Sequence, residues 1–234
     1  TITFATKEEV NNAIEKSKHA QREWERVPQP TRAEHVKLLI PLLEQNRDEI
    51  AQLYVKEQGK TLAEAYGEID KSIAFIDYMT SLSMSNKGEV LQNSVENEII
   101  QITKKPIGVT AGIVPWNAPI MVLMRKVIPA VVTGCSVVIK PSEETTLLTL
   151  KLAELFRAST IPAGLIQIVP GTGETVGTQL ATHKDIQLIS LTGSMRAGKS
   201  VYEHAAQTVK KVNLELGGNA PVIVTPHADI DKAV

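Results

Sequence analysis

From Gly108 onward, apolar runs of strand length alternate with segments of helical periodicity, and few folds accommodate that alternation. The runs fall at residues 109–114, 137–140, 166–169, 186–191 and 221–224, with helical segments at 119–132, 145–158, 172–181, 197–210 and from 228 onward. Runs such as Val137-Val138-Ile139 are apolar at successive positions, so both faces of the strand are expected to be covered. Strands of that kind joined by helices predict an α/β fold, a parallel sheet with helices on both faces. Loops leaving the C-terminal ends of its strands are then the place to look for chemistry.

Residues 1–85 read instead as helices. Thr6 caps one that ends before Pro28, with Val10, Ala13 and Ile14 on its apolar face. A second begins at Thr31 and carries Pro41, which is expected to kink it. A third covers 47–58 and stops at Gly59, and a fourth covers 61–83. Between residues 89 and 110, short runs such as Ile99-Ile100-Gln101-Ile102 predict an extended ribbon.

Charge narrows the partners. Lys and Arg number 25 against 26 Asp and Glu, a net charge of −1, with no basic block longer than Lys104-Lys105 or Lys210-Lys211. That balance gives neither nucleic acid nor an anionic membrane an electrostatic hold, so neither is expected as a partner. Five His and one Cys exclude a disulfide framework and a Cys-rich zinc site, and no metal is expected. The lone thiol fits a reducing, cytoplasmic setting. The most apolar stretch, residues 118–132, is interrupted by Arg125, Lys126 and Pro129 and falls short of a bilayer span of about 20 residues. No basic region followed by an apolar core marks the N-terminus, so it does not read as a signal peptide. The chain starts without Met and stops inside a helical pattern at Asp231-Lys232-Ala233-Val234, which reads as a piece of something longer.

Five segments near strand ends have unusual composition. Gly171-Thr172-Gly173-Glu174-Thr175-Val176-Gly177 lies between a strand and a helix, where backbone amides hold pyrophosphates; a plain strand-to-helix turn is the alternative. Residues Gly193 to Ser200 match the phosphate-loop pattern G-x-x-x-x-G-K-[ST] in full, so a nucleoside triphosphatase is a rival reading. Against it, no later strand ends in a magnesium-binding Asp, since residues 222–225 run into Pro226 and Asp229 comes too late. Lys140 and Glu143 follow a strand and form a charged pair suited to ribose hydroxyls, while Ser142 between them is also a helix cap. Asn117, held between Pro115 and Pro119, is a rigidly presented amide donor for an oxyanion, or simply a turn Asn. Glu215 stands amid Leu214, Leu216 and a Gly-Gly pair, an apolar setting that suits a general base; a surface carboxylate on a strand edge is the alternative. Cys135 precedes a buried strand at the wrong end of the sheet and reads as a core residue rather than a nucleophile.

Taken in order, Pro115-Trp116-Asn117-Ala118-Pro119, Lys140-Pro141-Ser142-Glu143, Gly171 to Gly177, Leu191-Thr192-Gly193-Ser194 with Gly198, and Leu214-Glu215-Leu216-Gly217-Gly218 resemble the aldehyde dehydrogenase superfamily. The likeness covers nearly the whole chain. It implies that residues 108–234 form a Rossmann-like NAD(P)-binding part, residues 1–88 a helical part of the same cofactor domain, and residues 89–107 a ribbon of the oligomerisation type. By the same resemblance Asn117 donates to the oxyanion of a thiohemiacetal, Glu215 is the general base, and Lys126 relays a proton. Lys140 and Glu143 would hold the adenosine ribose. Val114, Pro115, Trp116, Ser142, Gly173, Gly177, Gly193, Ser194 and Leu216 would line the dinucleotide. The implied cofactor is NAD, which Glu143 favours by repelling a 2′-phosphate; Ser142 with Lys140 keeps NADP open.

The implied reaction oxidises an aldehyde to its acid: a cysteine thiolate adds to the carbonyl, hydride leaves to the nicotinamide, and water hydrolyses the thioester. Arg125, where many members carry an aromatic, would bind substrate and favour small anionic or hydroxylated aldehydes. The sequence is accordingly similar to succinate-semialdehyde and lactaldehyde dehydrogenases; an Arg paired with a nearby carboxylate is the alternative. The family's nucleophilic cysteine follows the general-base glutamate at a distance that places it beyond Val234, and Cys135 does not correspond to it. The chain is therefore expected to be the cofactor-binding portion of an enzyme that is a homo-oligomer when complete, and to be inactive alone. A stand-alone nucleotide-binding or assembly module is the competing reading.

Overall fold

The structure is a computed structural model and describes residues 2–233. Its N-terminal part is helical because the local sequence caps and breaks helices at defined points. Helix α1 (Lys7–Trp24) starts where Thr6 and Glu9 cap each other, the Glu9 N–H donating to Thr6 Oγ1 at 3.2 Å and the Thr6 N–H to Glu9 Oε2 at 2.7 Å. The second helix begins earlier than the expected Thr31 and is divided rather than kinked, into α2 (Gln29–Lys37) and α3 (Leu39–Gln45). Pro41 has no N–H to give the Lys37 carbonyl, so the helical ladder breaks just ahead of it, at Leu38. Helix α4 (Arg47–Gln58) ends on Gly59 at φ +86°, and α5 (Leu62–Ser83) begins on a second reciprocal cap between Thr61 and Glu64. The expected ribbon is an antiparallel pair, β1 (Glu89–Gln92) and β2 (Ile99–Ile102), exposed along its length.

The α/β part follows as β3 (Val109–Ile113), α6 (Pro119–Val132), β4 (Ser136–Lys140), α7 (Thr146–Ala158), β5 (Ile166–Ile168), α8 (Thr178–Thr182), β6 (Ile186–Gly193), α9 (Met195–Ala206), β7 (Lys211–Leu216) and a last turn, α10 (Ile230–Ala233). Single turns precede two of the helices, a 3₁₀ turn at Glu143–Thr145 and a π turn at Gly173–Gly177. The five strands are parallel in the order β5-β4-β3-β6-β7. One apolar layer joins Val36, Leu39, Ile69 and Ile76 to Leu123 and Ile128 of α6. Another joins Val10 and Ile14 of α1 to Val138, Leu180, Ile189 and Val201 on the opposite side. The sheet is therefore covered on both faces, as its apolar runs require.

Two expectations are corrected. Residues 221–224 are not a strand; Val222 and Ile223 are 87% and 84% exposed. The fifth strand is β7, whose residues alternate polar and apolar (Lys211, Val212, Asn213, Leu214) as a half-covered edge strand does, so it escapes a search for runs apolar on both faces. Helix α9 ends at Ala206 rather than Lys210, because Val209 turns at φ +52° and Lys210 swings away to donate to the His183 carbonyl at 2.6 Å. Helix α9 lies close on β7 at Gly198, where an added Cβ would fall 2.6 Å from Leu216 Cδ2. No described helix is long and apolar enough to cross a membrane.

Candidate functional site

Chain order and sheet order disagree at one point. From β3 the chain steps outward to β4 and β5, then returns to β6 on the other side of β3. Loops leaving β3 and β6 therefore diverge and open a crevice at the C-terminal ends of the strands. A cleft of about 1110 Å³ fills that crevice. Its walls bring together Val114, Pro115, Trp116, Asn117, Arg125, Lys126, Lys140, Ser142, Glu143, Gly173, Gly193, Ser194, Glu215 and Leu216. Gly177 lies instead in an adjoining cavity of about 690 Å³ between the π turn and α9.

Lys126 projects from α6 and donates to Ser190 Oγ at 2.9 Å, with Asn213 Nδ2 at 3.5 Å from the same hydroxyl. Its stem crosses β3 at Gly112, where a Cβ would meet Lys126 Cδ at 3.0 Å and Ile139 Cδ1 at 2.6 Å. Burial pushes the ammonium down to about 8, opposed by the Glu215 carboxylate. Ser190, Asn213 and Gly112 escape sequence reading because a strand glycine or serine carries no motif; only the partner helix gives them a role.

Lys140 is anchored at the cleft wall. It is 3% exposed, and Nζ donates to the carbonyls of Pro141 and Gly171 at 2.7 Å each and to Glu143 Oε2 at 3.1 Å. Those three acceptors match the three N–H groups of an ammonium, so a ribose hydroxyl at Lys140 would take the place of one of them. Burial lowers its pKa, with Glu143 opposing. Glu143 is the exposed member of the pair, and its Oε1 accepts the Gly173 N–H at 3.1 Å, tying the glycine turn to β4. Ser142 borders the cleft and also acts as a cap, accepting the Glu144 N–H at 3.3 Å.

Glu215 lies in a setting that differs from the apolar one expected. It is exposed on the edge strand β7 and faces the cleft rather than sitting in an apolar pocket, because none of the described residues covers the outer edge of that strand. Arg125 is exposed at the cleft wall and makes no ion pair among the described residues. Cys135 is 4% exposed just ahead of β4, at the end of the sheet away from the cleft. The phosphate-loop match dissolves: residues 195–198 are already helix, the Gly198 N–H donates to the Ser194 carbonyl at 2.9 Å, and Lys199 borders neither cavity. No loop is left to wrap a triphosphate.

Behind Asn117 lies a buried carboxylate that no local motif marks. Glu68, 6% exposed on α5, accepts the Ile120 and Met121 N–H groups at 3.0 Å through Oε1, at the start of α6. Its Oε2 accepts from Tyr54 Oη at 2.6 Å and Lys60 Nζ at 2.9 Å, and the Tyr54 hydroxyl also lies 3.3 Å from the Asn117 carbonyl oxygen. Burial, then the Glu68 hydrogen bond, pushes the Tyr54 phenol well up.

Comparison with known proteins gives a consistent picture. The model of the aldehyde dehydrogenase family matches residues 1–234. The mitochondrial succinate-semialdehyde dehydrogenase of Arabidopsis thaliana is 40% identical over 226 residues, covering 97% of this chain and 43% of that protein. Lactaldehyde dehydrogenase of Escherichia coli (strain K12) is 38% identical over 227 residues, with coverage of 97% and 47%. Betaine aldehyde dehydrogenase of Staphylococcus aureus, solved in complex with NAD+, matches at TM-score 0.93 and 34% identity, covering 99% of this chain and 46% of that one. The chain thus spans less than half the length of each of these relatives.

Proposed function

The chain belongs to the aldehyde dehydrogenase family, and from that premise we propose that it is the dinucleotide-binding portion of an NAD(P)-dependent enzyme oxidising a small aldehyde to its acid. What supports this most is the convergence of Asn117, Lys126, Glu143 and Glu215 on one cleft. The residues present fit a dinucleotide. Two adjoining cavities offer room for two nucleoside halves, the Glu143 carboxylate accepts from hydroxyls, and the N-terminus of α9 faces the cleft at Ser194.

A bound nicotinamide supplies the hydride acceptor. Asn117 donates its amide to the oxyanion formed when a thiolate adds to the aldehyde. Glu215, exposed to the cleft, takes a proton from the thiol or from the hydrolytic water. Lys126, titrating at about 8 and held by Ser190, passes protons between the site and solvent near neutral pH. Arg125 favours an anionic or hydroxylated substrate. The nucleophile is a cysteine outside these residues, since Cys135 sits at the far end of the sheet. The exposed β1–β2 ribbon fits a homo-oligomer contact in the complete protein, and a lone buried thiol fits a cytoplasmic location.

Calorimetry of the 234-residue chain with NAD tests the reading. Binding is expected, and Glu143→Ala is expected to weaken it by about tenfold through loss of the ribose acceptor and of the tie to Gly173. Unchanged affinity in that variant rejects the ribose role; no binding by the parent chain rejects the cofactor reading. With a panel of small aldehydes, the chain alone is expected to produce no absorbance of reduced nicotinamide.

A further inference from the structure

We propose that Arg196 is the phosphate-gripping residue of the dinucleotide site, an assignment that rests on the NAD(P) reading above and deepens it. The two cavities meet at one wall, and the residues bordering both are Ile113, Glu143, Gly173, Leu191, Arg196 and Ala197. A ligand with a nucleoside in each cavity must carry its linker across that wall. In a dinucleotide the linker is a pyrophosphate with two negative charges, and the wall already holds the Glu143 carboxylate. An uncompensated anion there would be repelled.

Helix geometry selects which cation answers it. Gly198 faces Leu216 of β7, so the side of α9 turned to the smaller cavity carries Arg196, Ala197, Ser200, Val201 and His204. Arg196 stands at the cleft end of that face, and Lys199 is on neither wall. Lys140 is spent on two carbonyls and Glu143. Arg196 makes no ion pair among the described residues, so its guanidinium is uncommitted. A planar fork of donors matches two phosphate oxygens at once, which an ammonium does not. Its place in the first turn of α9 adds its charge to the amides that already face the cleft.

The test compares ligands that carry the pyrophosphate with one that lacks it. NAD, ADP and adenosine are titrated into the chain and into Arg196→Ala and Arg196→Lys, with amide NMR spectra reading even millimolar affinities. Arg196→Ala is expected to weaken NAD and ADP by tenfold or more and to leave adenosine unchanged; Arg196→Lys is expected to recover part of the loss. An equal loss for adenosine and ADP would assign Arg196 a packing role and overturn the proposal. So would unchanged NAD and ADP affinities in Arg196→Ala, which leave the cofactor reading standing. A parent chain that binds none of the three overturns both.

Discussion

Replacing Glu68 with Ala is expected to lower the melting temperature by roughly 10 °C, from a loss of about 3–5 kcal/mol. The change leaves two N–H groups at the start of α6, the Tyr54 hydroxyl and the Lys60 ammonium without their common acceptor. Three of those donors are withdrawn from water, so each loses a partner that solvent does not replace. Glu68→Gln keeps an oxygen for the two amides and is expected to lose about half as much. Thermal melts followed by circular dichroism read both, and a shift under about 2 °C for Glu68→Ala would mean the clamp contributes nothing. Amide exchange at Ile120 and Met121 is expected to speed up in step, reporting that the Asn117 loop has come loose.

Lys126→Met is expected to change the pH dependence of stability. Burial lowers the folded-state pKa of Lys126 from 10.5 to about 8. Below pH 8 the lysine is charged whether folded or not, and the folded protein carries the full cost of burying the ammonium. Between about 8 and 10.5 the unfolded chain holds a proton that the folded one has released, so stability rises with pH across that window. The rise amounts to about 3 kcal/mol if the whole shift is realised. Lys210, pushed by burial to about 8 as well, adds a parallel rise, so the comparison must be between variant and parent. In urea denaturation from pH 7 to 10.5, Lys126→Met is expected to be the more stable at pH 7, with the gap closing as the pH increases. Parallel profiles at all pH values would show that the amine is not buried as a cation.

How much of this was legible in the sequence depends on how local the signal is. Val137-Val138-Ile139 announces a strand covered on both faces because the covering is written in consecutive residues. Strand β7 escapes because an edge strand alternates, and alternation at Lys211-Val212-Asn213-Leu214 reads as part of the loop between residues 210 and 221. The cleft residues were legible because strand-end loops collect them at fixed places along the chain. Their commitments were not: nothing in Lys140-Pro141-Ser142-Glu143 says that the lysine is consumed by the carbonyl of Gly171, 31 residues away. Glu68 was invisible for the same reason, its amide partners lying 52 and 53 residues downstream. Arg196 was hidden differently, inside a phosphate-loop pattern whose helical conformation cancels the pattern's meaning.

The Glu68 clamp also bears on how this protein can be dissected. Strands β3 to β7 with their helices look like a unit that could be cut out at Gly108 and grafted elsewhere. Such an excised module would begin α6 with bare amides and leave the Asn117 carbonyl without its partner, because the Glu68 carboxylate belongs to α5 and the Tyr54 hydroxyl to α4. Transplanting strands β3 to β7 therefore means carrying the helical layer with them, or designing a new acceptor at the first turn of α6.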